Sequence, residues 1–279
     1  MNTLTTIRTA NRLFGDLAPK LTAKLARHIL MTPHVPRPRD WELPALAAAE
    51  PITFRFGLAG LRWGNSGPTV LLVHGWEGRP TQFSSLVAPL LAAGRQVIAI
   101  EAPAHGRSPG HESHVFAFTE AVLEVGAELR GIEAVVGHSM GGSAALLALA
   151  QGLRAERAVV LGSPASLPRV LDRFAHALAL PPEARVEFLR LVDEHVGVPA
   201  ATLDVERLGA RLSLPGLIVH DRDDGSVPFA EAEALARGWR DAQLVATQGL
   251  GHRRVLGDPA IVARVAQFLV GDAAQLRAA

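Results

Sequence analysis

The sequence predicts an α/β fold: a mostly parallel sheet of about eight strands, with helices on both faces and an inserted helical cap. Three observations lead there. Short runs that are almost wholly apolar recur, such as residues 69–74 (TVLLVH) and 96–100 (QVIAI), and strands buried on both faces of a parallel sheet read this way. Segments of helical periodicity separate them, an alternation that lays helices over the sheet. Residues 164–214 interrupt the alternation with apolar positions at helical spacing and no clear strand.

Taken in order, residues 1–49 come first, a helical segment followed by a Pro-rich linker. Leu4, Ile7, Leu13, Phe14, Leu17, Leu21 and Leu25 recur at roughly helical spacing, with Arg8, Arg12, Lys20, Lys24 and Arg27 among them. Pro19 divides the segment into two helices, with Asp16 as a cap near the second. Pro33, Pro36, Pro38 and Pro44 then make an extended linker. A basic amphipathic helix can lie on a membrane or serve as a docking face; the plainer reading packs it on the body of its own domain. The core is expected in residues 50–163 and 215–279. Its strands are 52–56 paired with 58–63, then 69–74, 96–100, 132–136, 158–161, 217–220 and 243–246. Its helices are 81–91, 114–129, 139–149, one from about 229, and 259–268. The cap, 164–214, carries two or three helices.

Composition narrows the function classes. The 279 residues are 48% hydrophobic, with a mean hydropathy of +0.20. The 28 basic and 27 acidic residues nearly cancel, so no strong field favours nucleic acid. With 0 Cys, disulfides, thiolate metal sites and a cysteine nucleophile are all excluded. The first ten residues lack the apolar stretch of a signal peptide, and no apolar run is long enough to span a bilayer. A soluble, cytoplasmic protein is expected.

The chemistry centres on Gly137-His138-Ser139-Met140-Gly141-Gly142, between the strand IEAVV and the helix SAALLALA. This is G-x-S-x-G with a strand before and a helix after. A serine at the tip of such a turn sits in a strained conformation. Residues two before and two after it come close together, so Gly137 and Gly141 must lack a Cβ, and Gly142 lets the helix pack on the sheet. The turn lifts the Ser139 hydroxyl above the carboxyl edge of the sheet, where ligands bind in open α/β folds.

With this motif in its context, the chain from about residue 51 onward resembles the α/β-hydrolase family. His74-Gly75-Trp76-Glu77-Gly78 resembles the family's HG-x-x-G loop, and residues 101–108 (EAPAHGRS) its D-x-P-G-H-G-x-S loop, with Glu101 for Asp and Ala104 for Gly. The resemblance implies an oxyanion hole made by the backbone amides of Trp76 and Met140. The Trp76 side chain lines the acyl pocket or belongs to the core, and Glu77 is a surface residue or sits at the pocket mouth. The chain order nucleophile, acid, base places the base near the C-terminus, where Gly249-Leu250-Gly251-His252 stands. The family pattern before Val227-Pro228 picks Asp224 as the acid, with Asp223 as the runner-up and Asp221 as a hydrogen-bonding residue. His138 points away from the nucleophile, and His74, His105 and His220 are structural.

The resemblance implies a carboxylesterase-like serine hydrolase (EC 3.1.1 class) working through an acyl-enzyme; the apolar faces of the cap helices, with 5% aromatic residues and no Tyr in the chain, favour a small-to-medium carboxylic ester or thioester. No cofactor and no metal are implied, and the partner is a small-molecule acyl substrate. Two alternatives stand beside it. The same triad serves thioesterases, lactonases and C–C bond hydrolases, and a ligand-sensing binding protein can use the same fold. Membrane association rests on the basic helix alone, and the oligomeric state is left open.

Overall fold

The computed structural model describes residues 3–129, 131–200 and 204–271, so the end of the expected core, 272–279, lies outside them. The chain divides into two compact units: residues 34–165 with 205–279, and residues 1–33 with 166–204. The sequence pattern separates 1–49 and 164–214 as two segments. Most of both share one unit, because their apolar residues fill a common core.

The larger unit is built on one eight-stranded sheet: β1 (Glu50–Thr53), β2 (Ala59–Trp63), β3 (Thr69–Val73), β4 (Gln96–Ile100), β5 (Ile132–His138), β6 (Ala155–Leu161), β7 (Gly216–Asp221) and β8 (Ala242–Thr247). Their spatial order is β1-β2-β4-β3-β5-β6-β7-β8. The first two strands pair antiparallel, and every pairing from β4 to β8 is parallel. All five residues of β3 are buried, as expected for a strand covered on both faces. One face carries Val70, Leu72, Val97, Ala99 and Val136 beneath Phe83, Leu86, Leu90, Val265 and Phe268. The opposite side chains of the same strands, Leu71, Val73, Ile98 and Val135, are equally buried.

The helices in chain order are α1 (Thr3–Phe14), α2 (Pro19–Met31), α3 (Leu43–Ala47), α4 (Ser84–Ala92), α5 (Val115–Glu128), α6 (Met140–Ala150), α7 (Leu167–Ala177), α8 (Pro182–Val196), α9 (Val205–Gly209), α10 (Phe229–Gly238), α11 (Gly251–Arg254) and α12 (Pro259–Val270). His114 caps α5 by accepting from the Ala117 amide, and Asp258 caps α12 by accepting from those of Ala260 and Ile261. Because β3 and β5 to β8 run parallel, the loops that follow them all leave from one edge of the sheet. The predicted site residues lie along that edge, in those loops, at the end of β5 and in the first turns of α6 and α11. Among the described residues, no helix is long and apolar enough to cross a membrane.

The smaller unit packs α2 with α7 and α8. Its core is Ala23, Ala26 and Met31 against Leu171, Ala175, Leu178, Phe188 and Val192, with the Phe174 and Phe188 rings stacked at 5.7 Å. The Asn11 amide ties α1 in by donating to the Leu178 carbonyl at 2.8 Å. Two details differ from expectation. The cap position of α2 is Ala18, with no side-chain hydrogen bond, so Asp16 does not serve there. The buried face of α2 is the alanine face, not the leucine face, since small side chains let its backbone approach α8. Leu13, Phe14, Leu17, Leu21 and Leu25 are all exposed.

Candidate active site

The turn between β5 and α6 has the strain its motif requires. Ser139 sits at φ 52°, ψ −126°, a region costly for any residue with a Cβ. The Ser139 amide anchors the turn on the neighbouring strand by donating to the Leu161 carbonyl at 2.9 Å. The glycines divide the work differently from the sequence reading. A Cβ on Gly137 would collide with Gly142 across the turn, as expected, but one on Gly141 would strike the carbonyls of Val73 and His74 at the end of β3. One on Gly142 would fall on the Ser163 hydroxyl, after β6. So Gly141 and Gly142 clear two different neighbouring strand ends.

The loop after β3 comes up against this turn. A Cβ on Gly75 would lie 2.7 Å from that of Ser139, so only glycine lets the two backbones approach. The loop is held by two histidines. His74 Nδ1 donates to the Gly75 carbonyl at 2.8 Å, and its Nε2 accepts from the Ala102 amide at 3.1 Å. His105 Nδ1 donates to the Pro103 carbonyl at 2.9 Å, and its Nε2 accepts from the Glu77 amide at 3.1 Å. Accepting through Nε2 makes both rings neutral. Burial is the main force pushing His74 down to about 3, and it lowers His105 as well. Together they lock the 74–78 loop to the 101–108 loop. Glu77 takes a left-handed conformation at φ 54°, and its carboxylate accepts from the His34 amide at 3.1 Å. The Trp76 ring is half-buried, edge-on to His105 at 5.4 Å.

The three neighbouring aspartates separate by partner. Asp224 Oδ2 accepts from His252 Nδ1 at 2.7 Å, while its Oδ1 accepts from the amides of Ser226 and Val227 at 2.8 and 2.9 Å. Burial works against ionisation of this carboxyl, but those hydrogen bonds outweigh it and hold it below the ordinary carboxylate range. Asp223 points elsewhere and accepts from the Gly249 amide at 3.0 Å. Asp221, buried at the end of β7, accepts from the Thr247 hydroxyl and from the amides of Asp223 and Leu250. Burial would raise it too; Thr247 and the surrounding amides bring it down to about 2. Asp221 and Asp223 thus brace the two ends of the loop that presents His252. His252 itself sits on α11, a single helical turn, where the sequence suggested a flexible loop.

Two contributors escape the sequence. His138 does not simply point away. Its Nε2 donates to the His252 carbonyl at 2.9 Å, and the two rings lie 4.7 Å apart. The ring is buried, chiefly for that reason lowered to about 3, and its Nδ1 has no partner. It therefore joins the residue before Ser139 to the backbone of His252. Gly162, at φ 57°, is the second. A Cβ there would lie 3.2 Å from His252 Nδ1 and 3.4 Å from Asp224 Oδ2. The glycine makes room for the imidazole–carboxylate pair. A histidine before a strand-end serine gives a weak signal for the first; nothing local in the sequence signals the second. No group of three or more metal-ligating side chains occurs among the described residues.

A strained serine at the tip of β5, a loop closing on it from β3 and an Asp–His pair from the ends of β7 and β8 thus share one edge of the sheet. A model of the alpha/beta hydrolase family matches residues 70–265, a span that contains all of them. The chain belongs to the alpha/beta hydrolase family. Within the family it is similar to a pimeloyl-[acyl-carrier protein] methyl ester esterase of Aromatoleum aromaticum, 29% identical over 238 residues that cover 69% of this chain and 94% of the relative. It is similar also to a non-heme chloroperoxidase of Streptomyces lividans, 28% identical over 255 residues, 72% of this chain and 91% of the relative. Among solved structures, the alpha/beta hydrolase fold of an esterase of Pyrococcus furiosus superposes with a TM-score of 0.63, at 21% identity, covering 85% of this chain and 95% of that one.

Proposed function

We propose that this alpha/beta hydrolase cleaves a small-to-medium carboxylic ester or thioester by two-step acyl transfer, with Ser139 as nucleophile, His252 as base and Asp224 as the group that orients the base. The observation that carries the reading is the 2.7 Å hydrogen bond between His252 Nδ1 and Asp224 Oδ2. With Nδ1 engaged, Nε2 is the nitrogen left to take the Ser139 proton. Ser139 Oγ then attacks the carbonyl carbon, and the electron pair of the carbonyl moves onto its oxygen. The amides of Trp76 and Met140 receive that charge, and losing one such donor costs on the order of 3 kcal/mol of transition-state stabilisation. His252 returns its proton to the departing alcohol or thiol, leaving an acyl-enzyme. Water, deprotonated by the same nitrogen, attacks the ester to Ser139 and releases the acid. Asp224 stabilises the imidazolium in both steps, and its depressed pKa keeps it ionised throughout.

The family resemblance of the 74–78 loop supports the oxyanion assignment, and so does its locking by two neutral histidines. The absence of Cys is compatible with the cytoplasmic setting we propose. A panel of p-nitrophenyl esters, acyl-CoA thioesters and lactones tests the reading. Turnover of at least one class is expected, lost by roughly 10⁴-fold or more in Ser139→Ala. No turnover of any, by a folded protein, would leave the triad without its proposed role.

A further inference from the structure

The smaller unit presents an anomaly that hydrolysis does not use. Leu13, Phe14 and Leu17, at the corner between α1 and α2, are 65%, 62% and 80% exposed, and Leu21 and Leu25 are 58% and 55% exposed. Leu17, Leu21, Leu25 and Ile29 stand four residues apart, so they continue the corner as one stripe along α2. The stripe is not a core face that came loose. The same helix already buries Ala23, Ala26 and Met31 in the core of its unit, so α2 carries a second apolar face, left exposed by the described residues. Scattered exposed leucines need no explanation, but a contiguous row of large apolar side chains does.

Charge decides between the occupants such a row could have. Residues 3–31 hold five basic side chains, Arg8, Arg12, Lys20, Lys24 and Arg27, against the single carboxylate of Asp16. Three acids of the neighbouring helices have arginine partners of their own. Glu187, which lies near Lys20 and Lys24, pairs with Arg190, as does Glu194, and Asp172 pairs with Arg185. A second copy docked stripe to stripe would bring these cations together. An anionic lipid surface would meet them with opposite charge while its acyl region takes the leucines and phenylalanine, the arrangement by which a helix lies in a bilayer interface. We propose that the α1–α2 corner and the leucine stripe of α2 form a surface that docks the protein on anionic membranes.

Co-sedimentation of the full chain with vesicles tests this, using phosphatidylcholine alone and phosphatidylcholine mixed with phosphatidylglycerol, each at low and high salt. The protein is expected to sediment with the anionic vesicles, less at high salt, and weakly or not at all with the neutral ones. Leu17→Ser/Leu21→Ser/Leu25→Ser should weaken binding at least tenfold without changing the melting temperature or ester turnover in solution. Lys20→Gln/Lys24→Gln, which leaves the apolar row intact, should weaken it several-fold and flatten the salt dependence. Wild-type protein that stays in the supernatant with both vesicle types would overturn the proposal. So would equal binding by the serine and glutamine variants, or a solution dimer that the serine variant dissolves, which would assign the stripe to a second copy. Should the serine variant fail to fold, the glutamine variant and the salt series decide.

Discussion

The two units spend their apolar residues in opposite ways. In the sheet-bearing unit the apolar positions of β3 and β5 are buried on both faces, and many of the polar groups at the sheet edge are held by hydrogen bonds. His74, His105 and His138 each make a hydrogen bond that fixes one tautomer, and three aspartates share out the amides of two loops. In the smaller unit most of the large apolar side chains of α1 and α2 face outward, and α2 gives the core chiefly Ala23, Ala26 and Met31. Rigidity and concealment go with the site; exposure goes with the surface proposed to meet a membrane. Apolar content alone does not say which way a helix turns. What the opposing face must fit against does.

The sharpest way to break this contrast lies within the acidic cluster. Asp224→Asn should lower kcat about 10⁴-fold, because the amide favours the wrong imidazole tautomer. Asp223→Asn, whose carboxylate holds the Gly249 amide and not His252, should cost less than about tenfold by the same comparison. Steady-state kinetics on any accepted ester would check both, and equal losses would mean that the two carboxylates share the role.

The next contrast is in packing. Gly142→Ala drives a methyl into Ser163 and should destabilise the fold by about 1–3 kcal/mol. Leu21→Ser, on the exposed stripe, should change stability by no more than about 0.5 kcal/mol. Urea titrations of the two variants would reveal a hidden interface under the stripe if the second value proved large.

Acid should act on the larger unit. His74 and His138 are held near 3 in the fold against an ordinary 6.5. Between those values the unfolded chain binds more protons, so stability falls as pH drops. The slope is about 1.4 kcal/mol per pH unit for each histidine, beginning below pH 6.5 and ending near pH 3. Asp221 adds to this fall: its stabilising contribution is fully present above its ordinary 3.8 and is lost as pH drops towards about 2. Unfolding free energies from pH 7 to pH 4 should show the histidine slope, which His138→Gln should reduce. A small gain is expected at Ala104, a non-glycine residue at φ 62°. Ala104→Gly should relieve that strain and raise stability by up to about 1 kcal/mol, read as a rise in melting temperature.

Much of the larger unit was legible in its residues. Gln96–Ile100 reads as a strand with the same bounds the structure gives it, because both ends are marked by polarity and turn residues. The elbow at Ser139 was readable because its glycines have no other reason to cluster there. The family pattern before Val227-Pro228 singles out Asp224, the carboxylate that the structure sets against His252. What stayed hidden depends on the third dimension. Gly162 looks like any strand-end glycine until His252 arrives from ninety residues away. The helical spacing of Leu21 and Leu25 announces an apolar face, yet Ala23 and Ala26 make the core contact, because close approach to α8 favours small side chains.

The most direct measurement is active-site labelling with a fluorophosphonate, mapped by peptide mass spectrometry. Ser139, the proposed nucleophile, should carry the adduct. Labelling should vanish in Ser139→Ala and slow by orders of magnitude in His252→Ala. An unlabelled folded protein, or an adduct that persists on another residue while Ser139→Ala still turns over ester, would contradict the assignment.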